Sequence, residues 1–321
     1  SLQRIAKMRL KLSGKLDVTM SVEGVVQRLG FDVASALGSF RGDVSFDGYG
    51  VAAALDFESL RWSTVSAVFP VLDGYARTDL PLTGSVSALG TTDGRVLSID
   101  FDLTGGAGAI ELPGLYARPL RVAGLRLRGV ASDNFTRIGI SDAVVELPSG
   151  TLAANMSATR IGAQWSLRFD GKATDIKIDA LPDYWPKHIA VDARDWLLVN
   201  IRKGRIEEAS LSLVARFADS AHYDVESVLG GIRVAGATVD YFNPMSTVTG
   251  VSADMTFTSD RFDIAIGGGR LDGLSVDSGS VVVTKLDTDD PEIAIDLTIR
   301  GPLQTALSVL NEPPLGFLAQ L

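Results

Sequence analysis

The sequence predicts a mainly β protein, an antiparallel sheet of many short strands with a few short helices. Three observations lead there. Apolar and polar residues alternate one by one from end to end of the chain, the period that sends successive side chains to opposite faces of a strand. Asp-Gly pairs fall between these runs, where hairpins need residues that tolerate positive φ. Finally, 33 glycines against 12 prolines, with no three-residue period, read as turn punctuation rather than collagen or linker.

In order along the chain, Leu16, Val18, Met20 and Val22 alternate with Asp17, Thr19, Ser21 and Glu23. A turn is expected at Asp47-Gly48. From Ser59 to Tyr75 the spacing of Trp62, Val65, Val68, Phe69 and Leu72 is helical, with Pro70 limiting its length. After Asp93-Gly94, the residues Leu97, Ile99, Phe101 and Leu103 alternate with Ser98, Asp100 and Asp102. Trp165, Leu167 and Phe169 are separated by Ser166 and Arg168, and Asp170-Gly171 follows as a further expected turn. A helix is predicted over Val191 to Lys203, where Ala193, Trp196, Leu197, Asn200 and Ile201 form one stripe and Gly204 stands at the C-cap. Tyr184, Trp185 and Trp196 read either as a ligand-stacking box or as rings packing this helical cap onto the sheet. Strands resume with Val251, Ala253, Met255 and Phe257, and then with Phe262, Ile264 and Ile266. Asp272-Gly273 makes the next turn, and Ile293, Ile295, Leu297 and Ile299 make the last alternating run. Pro302 to Leu310 closes the series as a helix with proline in its first turn and Pro313-Pro314 beyond it. Phe101-Asp102-Leu103 and Phe262-Asp263-Ile264, each followed by glycines, hint at a degenerate strand-turn repeat. The organisation expected is one segment, 1–321: strands over about 1–180 with the insert 59–75, a helical insert at 181–204, and strands over 205–321 ending in the helix 302–310. Both termini lack polar tails and read as cut from something longer.

The formal charge of -9 argues against a nucleic-acid partner, because polyanions are bound through clustered Lys and Arg. The densest basic run, Arg118, Arg121, Arg126 and Arg128, is interleaved with Leu120, Val122, Leu125 and Leu127 and reads as the wet face of strands. With no cysteine there is no disulfide, thiol nucleophile or usual zinc site. No run of about 18 apolar residues marks a spanning helix. Only His188 and His222 are present, without a catalytic motif around them, so an enzyme is not expected. Gly267-Gly268-Gly269 lacks the Lys and helix of a phosphate loop, and Asp287, Asp289 and Asp290 lack calcium-loop order before Pro291. Neither cofactor nor metal is expected.

Leu181-Pro182-Asp183-Tyr184-Trp185-Pro186, followed by Ala193-Arg194-Asp195-Trp196-Leu197 and Gly204, resembles the AsmA-like/DUF3971 family of Gram-negative envelope proteins, which includes bridge-type lipid transporters of the YhdP and TamB kind. Asp79-Leu80-Pro81-Leu82-Thr83-Gly84, Gly106-Ala107-Gly108 with Glu111-Leu112-Pro113, Tyr241-Phe242-Asn243-Pro244 with Val248-Thr249-Gly250, and Gly301-Pro302-Leu303 agree with it in order. The resemblance spans about residue 45 to the end. It implies an elongated, highly twisted antiparallel sheet curled into an open, apolar-lined groove. It further implies a periplasmic protein anchored to the inner membrane in its full length, moving phospholipid between the inner and outer membranes, with acyl chains, the two membranes and their proteins as partners.

Physical chemistry points the same way, since strands with one apolar face need a second layer, closure, or a ligand to cover that face. Stacked about 4.8 Å apart, roughly 20 strands would span on the order of 100 Å. The residues expected to line the groove are Leu97, Ile99, Phe101, Trp165, Leu167, Phe169, Met255, Phe257, Ile264, Ile266, Ile295 and Leu297. The same pattern also fits a two-layer sandwich, in which these side chains form a closed core and the protein is an envelope scaffold or adhesin without lipid. An outer-membrane barrel fits less well, because aromatic residues are only 7% of the chain and the helical insertions interrupt it.

Overall fold

The computed structural model describes residues 13–20, 26–35, 38–61, 77–112, 115–116, 118–187, 189–218, 223–241, 243–288, 290–313 and 316. They are mostly strand. Seventeen strands belong to one antiparallel sheet that does not close into a barrel, and three more form a small separate sheet. Three short helices accompany them among the described residues: α1 (Leu181–Tyr184), α2 (Val191–Asn200) and α3 (Leu303–Leu310). The mainly β, antiparallel architecture expected from the alternation, with the open sheet implied by the resemblance, is therefore what the chain adopts. All but the first three residues of the helix expected at 59–75 lie outside the described residues, as do His188 and His222; Ser59, Leu60 and Arg61 are described, the first two ending a strand.

The chain divides into two compact units, one holding residues 1–148, 152–169 and 215–224, the other 149–151, 170–214 and 225–321. In the first, β1 (Ser13–Met20), β2 (Val26–Ser35), β3 (Gly38–Phe46) and β4 (Gly50–Leu60) pair in succession. The meander continues through β6 (Leu82–Thr91), β7 (Val96–Gly105), β10 (Gly124–Ser132) and β11 (Arg137–Leu147). The small sheet, β5 (Arg77–Thr78), β8 (Gly108–Glu111) and β9 (Leu120–Val122), is inserted at one end of these strands. Most of the unit's buried apolar side chains gather there: Phe57, Leu60, Leu82, Leu120, Val122, Leu147 and Leu80, which is 0% exposed.

Two long strands, β12 (Gly150–Ile161) and β13 (Gln164–Lys177), follow. Asp170-Gly171, expected as a turn, lies inside β13, where the Asp170 carboxylate accepts a hydrogen bond from Ser212 Oγ at 2.6 Å. The other Asp-Gly pairs do turn. Asp47 accepts from the backbone N–H groups of Tyr49 and Gly50, at 3.0 and 2.6 Å, and Asp272 and Gly273 both take positive φ, 48° and 84°, as a tight hairpin requires.

In the second unit α2 stops at Asn200, short of the expected Lys203. The next two residues form β14 (Ile201–Arg202) and pair with Val239 and Thr238, so the ladder takes the backbone groups that a longer helix would use. The Asn200 carbonyl accepts from Asp240 N–H at 2.7 Å, and Gly204, with φ 74°, serves the turn into β15 (Arg205–Phe217) rather than a helix cap. Then β16 (Tyr223–Val239), β17 (Val248–Thr258), β18 (Arg261–Leu271), β19 (Leu274–Thr284) and β20 (Glu292–Arg300) form a second meander. Register shifts fall at one level of four neighbouring strands, at Val234/Ala237, Thr249/Ser252, Ser252/Ala253 and Val276/Ser278. Beyond that line Met245, Leu271 and Leu274 pack with Val309 of α3, joined by Val248 and Ala306. Pro302 is the N-cap of α3 rather than a residue of its first turn.

Candidate functional site

Each unit carries one apolar face whose composition follows from register. In the first unit, directly opposed residues build lateral rows that cross the strands. One row runs Phe31, Gly42, Leu55, Val86, Phe101, Gly129 and Ile140, and its neighbour runs Leu29, Val44, Ala53, Ala88, Ile99, Ala131 and Ile138. In the second unit the rows are Ile232, Met255, Ile264, Val281 and Ile295; Gly230, Phe257, Phe262, Val283 and Ile293; and Val234, Ala253, Ile266, Gly279 and Leu297. Most of the large side chains here are neither buried nor fully exposed. The exceptions are Val234, which is buried, and the side chains of β20, where all nine residues are exposed and Ile293 and Ile295 reach 64% and 63%.

The opposite face is charged. Arg41 pairs with its directly opposed Asp32 at 3.1 Å, Arg128 pairs with Asp102, and Arg126 reaches Asp142 at 2.6 Å. In the second unit Arg233 meets Asp254 at 2.9 Å and Arg261 meets Asp263 at 2.6 Å. Donating to these carboxylates holds the Arg126, Arg233 and Arg261 guanidinium groups above the ordinary arginine range, and the bond from Arg261 holds the Asp263 carboxyl below the ordinary carboxylate range. Exposed pairs of this sort add little stability. They mark the face that meets water.

Of the residues expected to line a groove, Met255, Ile264 and Ile295 share one row, Ile266 and Leu297 share a second, and Phe257 sits in a third beside Phe262, edge to face with centroids 6.1 Å apart. Ile99 and Phe101 occupy neighbouring rows of the first unit. Leu97 stands at a register irregularity between β6 and β7 and is 48% exposed. Trp165, Leu167 and Phe169 share a face of β13, where Trp165 stacks on Phe217 with centroids 6.5 Å apart and lies 6.0 Å from the Arg160 guanidinium. In the other aromatic group the Tyr184 hydroxyl lies 3.5 Å from Ser149 Oγ and Trp185 Nε1 donates to the Ile189 carbonyl at 2.8 Å, while Trp196 is 52% exposed on a helix that buries no residue.

Sequence reading left Phe31, Leu55, Val86, Ile232, Phe262 and Val281 out of the expected lining, though the same alternation marks them, and it gave no role to four glycines in the rows. Gly42, Gly129, Gly230 and Gly279 each stand directly opposite a large side chain: Phe31, Phe101, Phe257 and Leu297. Among the described residues no covering layer lies over these rows comparable to the buried clusters at the strand ends. Among the described residues no helix is long and apolar enough to cross a membrane.

No curated protein and no solved structure matches the chain at a significant level. A family model does: the one described as YhdP protein matches residues 36–319, nearly the full length, and the chain therefore belongs to the YhdP protein family.

Proposed function

We propose that the apolar faces bind the acyl chains of phospholipids and that the protein carries lipid between the inner and outer membranes of a Gram-negative envelope. In this reading it acts in the periplasm, non-catalytically, as part of a bridge-type AsmA-like transporter whose full length is anchored in the inner membrane. The observation that carries the reading is the pairing, in each unit, of a largely half-exposed apolar face with an ion-paired opposite face. A soluble protein rarely leaves such a surface without an occupant. Each methylene withdrawn from water is worth about 0.8 kcal/mol, so a chain of about 15 methylenes gains on the order of 10 kcal/mol on such a face. A lipid that stays on the face while moving sideways does not give that energy up. The sheet face also offers no backbone N–H or C=O, which a bound peptide would need for its own polar groups and a hydrocarbon chain does not.

Site-specific photocrosslinking in a Gram-negative envelope tests this. A benzoylphenylalanine at Phe101 or Ile295 is expected to trap phospholipid, whereas one at Arg126 or Asp296 on the charged face is not. Equal labelling of both faces, or none at either, counts against lipid carriage.

A further inference from the structure

Four large side chains of the apolar faces do not stand up from the sheet. A Cβ built on Gly230 would lie 2.0 Å from Phe257 Cζ, one on Gly129 2.6 Å from Phe101 Cζ, one on Gly42 2.7 Å from Phe31 Cζ, and one on Gly279 2.5 Å from Leu297 Cδ2. Each of these atoms therefore fills the space that the opposite residue's side chain would take. None of the four glycines has positive φ, so backbone conformation does not call for glycine there. Room does. Gly129 and Gly230 are themselves buried beneath the rings. An interior glycine weakens a strand by giving up packing and chain entropy, so four of them in apolar slots carry a cost that some gain must offset.

We infer that these glycines are specificity-determining residues which lay Phe31, Phe101, Phe257 and Leu297 flat over the neighbouring strand, keeping the floor of the lipid-binding face low enough for an unbranched acyl chain. The inference rests on the lipid reading of the face. A layer of protein side chains would favour the other arrangement, with knobs standing up and interdigitating as they do in cores. A smooth floor suits a ligand without side branches. In the first unit two such pairs, Phe31 with Gly42 and Phe101 with Gly129, fall in one lateral row, which makes that row a low lane crossing the strands.

Gly230 provides the clean test, because all three atoms nearest its missing Cβ belong to the Phe257 ring; at the other three glycines a backbone oxygen is also close. Gly230→Val raises strand propensity and displaces only the ring. The whole chain is incubated with vesicles of phosphatidylethanolamine and phosphatidylglycerol that contain a pyrene-labelled acyl chain, and the lipid retained after separation is measured. Circular dichroism and thermal unfolding report the fold, and elution volume reports self-association. Lifting the ring takes about two methylenes off the floor and is expected to weaken retention about tenfold in folded Gly230→Val. The exchange Gly230→Phe with Phe257→Gly lays the ring down from the opposite strand and is expected to restore it. Equal retention by wild type and Gly230→Val, or no recovery in a folded double variant, overturns the inference. A wild type that retains no lipid at all, or that hides the face by pairing with a second copy, overturns the lipid reading beneath it.

Discussion

At the scale of residues, alternation made the apolar positions legible because it is local, whereas what each position meets depends on a strand far away in sequence. Gly129 sits in the apolar slot of Leu125, Leu127, Gly129 and Ala131, a departure visible in the sequence, but its meaning appears only when register sets Phe101 opposite it. Asp170-Gly171 failed as a turn for a related reason. The pair tolerates positive φ without requiring it, and β13 continues through it. The contrast between sealed and open positions is measurable in urea. Leu80→Ala removes a fully buried side chain and is expected to cost about 2–5 kcal/mol, while Ile295→Lys, on an exposed strand, should change stability by no more than about 0.5 kcal/mol.

At the scale of elements, the helical period marked α2 and α3 correctly and their limits less well, because tertiary partners set those limits. Ile201 and Arg202 gave up the helix for a ladder with β16. The stripe of α2 pointed to packing that the fold does not provide, so Trp196→Ala is expected to lower the unfolding free energy by less than about 1 kcal/mol. The opposite holds for α3, whose Val309 lies in the core cluster and whose trailing Glu312 accepts hydrogen bonds from both Ser246 N–H and Ser246 Oγ at 2.9 Å. Glu312→Ala leaves the half-buried Ser246 backbone donor without its charged partner, a loss of about 1–3 kcal/mol. Amide exchange should speed up in residues 302–312 and stay unchanged across β16 to β18; uniform acceleration would mean that this contact supports the whole unit instead of one helix.

At the scale of the whole molecule, fold class was legible because most of the described strands repeat one binary pattern, and a pattern repeated that often outweighs local ambiguity. What could not be read was how the apolar faces end. The buried groups at one end of the strands, Leu80, Leu120 and Val122 in the first unit and Met245 and Val309 in the second, come from short insertions with no strong period of their own. Among the described residues they cover part of each face and leave the rest open. Openness of the remaining face is the claim on which the functional account stands. The most direct measurement is phospholipid per protein in organic extracts of the purified chain, comparing wild type with Ile293→Asp/Ile295→Asp on the apolar face of β20 and with Ala294→Asp on its charged face. The account predicts phospholipid in the wild type and in Ala294→Asp and its loss from a folded Ile293→Asp/Ile295→Asp protein; lipid-free wild type, or equal lipid in all three, would contradict it.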